Sequence, residues 1–334
     1  MITTRNTNTA MWQVYQYIVD NGIKSDSRNG PVISVPHPVT ICYTHPWEQV
    51  NFCPVRDANP FFHFIEKLWF LEAKGDVEFI CRYLPSMADY SDDGVNFRNQ
   101  YGKNIRSHFG FDQLKRAADI LIDDPTTRRV VVQIWKPEDL GADSKDLACN
   151  QQLLFRVVDG ALNMTVTNRS NDALFGGVSG ANITNLFVFQ EYVSAYSGIP
   201  VGKQYIISND LHLYTEHPKV APVLAKYTDK SIEYVKNELA CEPYTVGSVS
   251  STPIITNTDH FDQDLQVFMD EIRDVDIPII TDYHNDWFIH TATPVLTAFW
   301  LHKTKNKADA IKWASMISST DWRKSCMEWL ERRL

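Results

Sequence analysis

The sequence contains no run of about 20 uninterrupted apolar residues and no apolar core behind its N-terminal Met1-Ile2-Thr3-Thr4-Arg5, which excludes an evident membrane-spanning or signal segment. It has no CxxC pair. The six cysteines (Cys42, Cys53, Cys81, Cys149, Cys241 and Cys326) follow none of the spacings of a secreted disulfide framework, so they read as reduced thiols of a cytoplasmic protein. An excess of basic charge is also missing. The formal charge is −9, which argues against general binding to nucleic acid or anionic membrane while leaving room for a local basic pocket that takes a small phosphate. Neither GxGxxG after a strand nor a Walker loop occurs, so a nucleotide-cofactor cradle is unsupported. No repeat, low-complexity tract or linker interrupts the chain. The Asp282-Tyr283-His284-Asn285-Asp286 run lacks the spacing and the second ligand cluster of a metal site, and no metal is expected.

What is present suits a folded chain. The 334 residues are 44% hydrophobic, 12% aromatic and 22% charged, enough for a sizeable core without disulfides. Met11, Val14, Tyr15, Ile18 and Val19 recur at helical spacing and stop before Asn21-Gly22, which predicts an opening amphipathic helix. A polar loop from Lys24 to Gly30 should follow, with Arg28 in it, and then short β-rich pieces up to Val55. Asn59-Pro60 is a capped helix start, and Phe61 to Leu71 is apolar almost all round, so this helix should lie centrally. Glu66 interrupts it. A carboxylate there is either a general acid/base candidate or an ordinary partner for a nearby cation.

Asp76 should begin a short helix through Leu84, and another helix is expected near Asp112–Ile122. Val130 to Trp135 reads as a buried strand with Arg128-Arg129 at its mouth. Leu153–Val158 and Ala161–Thr167 flank Asp159-Gly160, a hairpin signal. The hairpin joins Leu147-Ala148-Cys149-Asn150 to Arg169-Ser170-Asn171-Asp172. A glycine-rich loop then leads to a helix from about Asn182 to Tyr196 and a strand near Gln204–Ser208, ending at Asp210-Leu211-His212-Leu213-Tyr214. Lys226 to Ile255 mixes charged and β-rich pieces, whereas Asp262–Val275, Asp286–His302, Ala308–Ser318 and Trp322–Arg333 read as helices.

In isolation each of these polar residues has an ordinary structural reading. Together Arg128-Arg129, Cys149, Arg169-Ser170-Asn171-Asp172, Asn182 and the His212-to-Tyr214 run resemble, in order, the motifs of the thymidylate synthase superfamily, which includes pyrimidine-nucleotide hydroxymethylases. Glu66-Lys67-Leu68-Trp69-Phe70-Leu71 looks like that family's Glu-containing helix, and Tyr101-Gly102-Lys103 like its next turn. The resemblance covers roughly Arg28 to His217 and is poor in the C-terminal third. It implies an α+β fold, a large mixed-sheet domain flanked by helices. The whole chain would form one domain, with its core at about 10–220 and a divergent helical extension at about 260–334.

The implied chemistry is specific. C5 of a pyrimidine is a poor nucleophile, so a thiolate adds to C6 and the resulting enolate attacks the one-carbon unit of 5,10-methylenetetrahydrofolate, the co-substrate. The resemblance gives Cys149 the thiolate and puts Glu66, Asp172 and Tyr101 beside it as catalytic residues. Arg28, Arg169 and Ser170 would bind the 5′-phosphate, joined by Arg128 and Arg129 from a second copy, which implies a homodimer. His212 and Tyr214 would hold the sugar hydroxyl, Asn182 the base edge, and Asp172, Glu66 and Met87 the folate.

Asparagine at the base position favours dUMP over dCMP, although the loop before Asn182 is two residues longer than the family's usual pattern. Three departures bear on the product. The chain ends Trp329-Leu330-Glu331-Arg332-Arg333-Leu334 without the family's apolar closing tail, Met87 stands where a shielding tryptophan is usual, and Asn150 follows the cysteine where histidine is usual. Weaker shielding favours water over hydride at the last step, and so hydroxymethylation. Reductive methylation of dUMP to dTMP is the alternative, and a catalytically silent nucleotide-binding relative the second.

Overall fold

The computed structural model describes residues 1–218, 220, 242–279 and 282–333. The predicted stretch from Lys226 lies outside these as far as Cys241, as does Leu334. The fold is α+β, built on two mixed sheets with helices against them.

The opening helix α1 (Thr7–Asn21) starts at Asn6, whose side chain accepts from Asn8 and Thr9 backbone N–H groups while Thr9 reaches back to the Asn6 N–H. Met11, Val14, Tyr15 and Ile18 are buried as their spacing predicts, and Val19 is half-buried at the margin. The expected polar loop after it is instead an exposed hairpin, β2 (Ile23–Ser27) with β3 (Gly30–Ser34), turning at Arg28-Asn29. Its polar residues hid the strand pattern because β2 is exposed throughout; pairing of β3 with β10 (Leu211–Tyr214) holds it.

The larger sheet has the order β1-β4-β9-β7-β6-β5, with β1 (Ile2–Thr4), β4 (Val39–Tyr43), β5 (Val131–Gln133), β6 (Asn150–Val158), β7 (Ala161–Asn168) and β9 (Val201–Ser208). The β6–β7 turn has φ of 51° at Asp159 and 75° at Gly160, the left-handed pair a tight two-residue hairpin needs. The expected buried strand at Val130–Trp135 shrinks to β5 on the sheet edge, where Val131 is 50% exposed. An edge strand has only one neighbour, so an apolar run there need not be fully covered. The smaller sheet runs β2-β3-β10-β8, where β8 is only Asn171–Asp172.

Helix α2 (Pro60–Glu72) is capped by Asn59 and is buried from Pro60 to Leu71. The following helix is shorter than predicted: α3 covers Val77–Cys81, and Pro85 opens a separate 3-10 turn, Pro85–Tyr90, that carries Met87. Helix α4 (Tyr101–Lys103) crosses α2 so closely that a Cβ on Gly102 would come within 1.5 Å of the Phe70 carbonyl oxygen. Helices α5 (Gln113–Asp123) and α6 (Asn182–Ser197) fall close to their predicted bounds.

The C-terminal helices are α7 (Phe261–Asp274), α8 (Thr293–Lys303), α9 (Lys307–Ser315) and α10 (Thr320–Glu331). They are not an appendage. Phe61 of α2 lies 5.6 Å from Phe299 and 5.4 Å from Trp329, and Phe64 lies 5.2 Å from Trp287 and 5.1 Å from Trp322, ring centre to ring centre. The divergent third thus walls the far side of the central helix, with aromatic contacts that supply much of that core. Among the described residues no helix is long and apolar enough to cross a membrane.

Candidate active site

Cys149 sits at the foot of β6, and its backbone is held on both sides. Its N–H donates to the Tyr101 hydroxyl at 3.3 Å, and its carbonyl accepts the Arg169 N–H at 3.0 Å. The Arg169 side chain curls back to donate through Nε to the Ala148 carbonyl at 2.9 Å and through Nη2 to the Leu147 carbonyl at 2.8 Å. One guanidinium therefore braces the chain just before the thiol through its Nε and Nη2 groups.

Burial pushes the Cys149 thiol up, and Asp146 and Asp172 push it the same way; Arg169 and Arg28 pull it down without reversing the shift. Arg28, on the hairpin tip, and Asp172 thus both act on the charge of the sulfur. Tyr101 connects this cluster to α2, since its ring stacks on Phe70 at 5.3 Å with the planes 10° apart.

Asp172 accepts from the Leu174 N–H at 2.8 Å, and burial pushes its carboxyl up against the pull of His212 and Arg56. His212 pairs in register with Asp172 across β10 and β8, and its ring stands edge-on to Tyr214 at 5.2 Å. Burial disfavours the His212 imidazolium, yet Asp210, 3.6 Å away, and Asp172 outweigh it and raise the imidazole above its usual value. Asn29 of the hairpin tip donates to the Tyr214 hydroxyl at 3.5 Å. The hairpin missing from the predicted fold therefore brings Arg28 to the same side as Tyr214.

Glu66 lies on the face of α2 that meets α6. Burial raises its carboxyl to about 7 against one opposing bond, donated to Oε2 by the Asn185 amide at 2.7 Å. Asn182 is half-buried as the first residue of α6, one turn before Asn185. Ser170 is half-buried between β7 and β8, and Met87 is half-buried against the core. Arg128 and Arg129 stand apart. Both are exposed beside Asp124 and Thr126, and neither is among the main charges felt by Cys149.

Residues 10–269 match the sequence profile of thymidylate synthase. The chain belongs to the thymidylate synthase family. The match begins before and runs past the stretch in which the motifs are legible, taking in most of α1 and most of α7. Over its full length the chain is 36% identical to a deoxyuridylate hydroxymethyltransferase of Pseudomonas phage M6, covering 94% of that protein. A deoxyuridylate hydroxymethyltransferase of Bacillus phage SP01 is 34% identical over 61% of this chain and 57% of its own. A thymidylate synthase of Symbiobacterium thermophilum is 29% identical over 60% of this chain and 70% of its own. The protein is accordingly a one-carbon transferase.

The sequence reading missed Arg56, Tyr90 and Asn185. Arg56 is buried, donates to the Leu174 carbonyl at 3.1 Å and lies over the Phe175 ring, next to the loop that Asp172 caps. Tyr90 is raised by burial and by Asp172 and Tyr214 facing it. Asn185 had a signal of its own: an amide directly before the apolar Leu186-Phe187-Val188-Phe189 run of α6.

Proposed function

We propose that this enzyme transfers the one-carbon unit of 5,10-methylenetetrahydrofolate to C5 of dUMP and completes the reaction with water, giving 5-hydroxymethyl-dUMP. What carries the reading is the full-length similarity to a protein named deoxyuridylate hydroxymethyltransferase, in a chain whose cysteine lies among two arginines, two aspartates and a tyrosine. The named substrate fits an amide at Asn182, which can donate to and accept from a uracil edge.

In this reading the Cys149 sulfur adds to C6 and makes C5 nucleophilic. Arg169, Arg28 and Ser170 bind the 5′-phosphate, with Arg128 and Arg129 supplied by a second copy in a homodimer. His212 and Tyr214 hold the sugar hydroxyl. Tyr101 fixes the backbone of the nucleophile, and Glu66, with a carboxyl that changes charge near neutrality, moves protons at the base and the incoming carbon. Asp172 and Met87 flank the folate. The buried carboxyl of Glu66 and the half-buried one of Asp172 suit the amide and amine hydrogens of a pterin, so the residues present fit that co-substrate.

Once the one-carbon unit is an exocyclic methylene on C5, either hydride or water can complete it. Met87 supplies less shielding than an indole would, so water is the favoured nucleophile. Incubation with dUMP and the folate should yield 5-hydroxymethyl-dUMP without dihydrofolate. Stoichiometric dihydrofolate with dTMP would overturn the product assignment, and turnover by Cys149→Ala would overturn the covalent route.

A further inference from the structure

Asn185 and Glu66 are both enclosed where α6 packs on α2, with Asn185 wholly buried and Glu66 only 6% exposed. The amide donates to Glu66 Oε2 at 2.7 Å, while its own carbonyl oxygen, Oδ1, is buried without a hydrogen-bond partner among the described residues. A buried amide oxygen left unpaired costs roughly 1–3 kcal/mol. Such an orphan, locked beside a candidate proton-transfer group, marks a place where something else donates a hydrogen bond. Neighbouring α6 residues do not fill this need; Thr184 next to it donates to the Ala181 carbonyl at 2.7 Å within the helix.

We propose that Asn185 and Glu66 together form the seat of the water that completes the reaction. Asn185 is anchored through Nδ2 and offers Oδ1 to one water hydrogen, while the free oxygen of Glu66 takes the other. A water held by both hydrogens presents a lone pair to the exocyclic carbon. The oxygen–carbon bond forms as one water proton passes to the Glu66 carboxylate, and the methylene π electrons return to the ring as a C4 enolate. Collapse of that enolate expels the Cys149 thiolate from C6 and restores the 5,6 double bond. No other reactant is needed. Asn185 is also a positioning residue for Glu66, because its N–H favours the charged carboxylate that must accept the proton. The inference rests on the hydroxymethylase reading.

The experiment uses the full-length enzyme with dUMP bearing a C5 tritium, methylenetetrahydrofolate, and an added small thiol as a rival nucleophile. Tritium release reports every step before the methylene forms, and the ratio of hydroxymethyl to thioether product reports water capture alone. In Asn185→Leu the hydroxymethyl yield per tritium released should fall at least about tenfold in favour of the thioether. The acidic limb of its pH profile should move up by about one unit, because the bond favouring the charged Glu66 is gone. Asn185→Gln, which keeps both amide functions, should recover part of the water capture and guards against a Leu variant that folds poorly. An unchanged product ratio in Asn185→Leu, or parallel loss of tritium release and product in both variants, overturns the water seat. A parent enzyme that makes dTMP and dihydrofolate overturns the hydroxymethylase reading itself, a result separable from the first because it needs no variant.

Discussion

The Lys67 ammonium lies 4.4 Å from the centre of the Trp322 ring, inside a cage completed by Phe64 and Trp287. Lys67 is 1% exposed, and its Nζ has no hydrogen-bond partner among the described residues. Burial draws its basicity down to about 8, opposed by Glu191 of α6 and Asp321 of α10. The residue next to Glu66 thus ties the central helix to the C-terminal helices by charge and by aromatic faces.

Replacing this lysine with methionine should destabilise the fold by about 3 kcal/mol at pH 8, because Glu191 loses its counter-charge. The loss should shrink at pH 6, where Glu191, already raised to about 7 by burial, can take up a proton instead. Denaturant titrations at the two pH values measure this. Adding Glu191→Gln to Lys67→Met should recover much of the loss at pH 8, and no recovery would deny the coupling.

Glu66→Gln should separate stability from activity. Burial favours the protonated carboxyl in the fold, so the contribution of Glu66 to stability is fully present below the unfolded value near 4.5 and is lost as pH rises through about 7. A neutral amide escapes that loss. The variant should gain on the parent as pH rises from 5 to 8, by up to about 3 kcal/mol, while turnover drops about 100-fold or more. Unfolding curves over that pH range, paired with product assays, test both halves.

Arg169→Lys keeps the charge but removes the fork that spans the Leu147 and Ala148 carbonyls. The Cys149 backbone would then be less tightly held. KM for dUMP should rise and kcat should fall, each by about tenfold, with a loss of about 1 kcal/mol in stability. Kinetics that match the parent would mean that the arginine contributes charge alone.

Subunit mixing tests the arginines that stand apart from the cysteine. Cys149→Ala and the double variant Arg128→Ala/Arg129→Ala should each be nearly inactive alone. After unfolding and refolding together in equal amounts, about a quarter of the sites should combine an intact cysteine with intact arginines from a second copy. Activity should return to about that fraction. Its absence, with dimers shown by sedimentation, would place the arginines' contribution within their own subunit.

Local signals were legible where neighbours along the chain decide the outcome. Asp159-Gly160 can adopt a left-handed pair of backbone angles, so the β6–β7 hairpin follows from two residues. Asn59-Pro60 caps and starts α2 by the same local logic. The β2–β3 hairpin was not legible, because its strands are held by β10, far along the chain, and not by burying an apolar face. The order Cys149, Arg169-Ser170-Asn171-Asp172, His212 and Tyr214 pointed to the family and the chemistry. It could not show that Arg169 braces the backbone of the cysteine, since that depends on how the loop before β6 turns.

The sequence by itself determined that α2 would be central and that Glu66 would be an anomaly within it, because apolar periodicity and a buried carboxylate are properties of one segment. Only the tertiary structure decided what surrounds those neighbouring residues. Glu66 faces Asn185 on α6, and Lys67 faces tryptophans from the C-terminal helices. Helix packing selects such partners by the shape and crossing of whole elements, information that no local pattern carries.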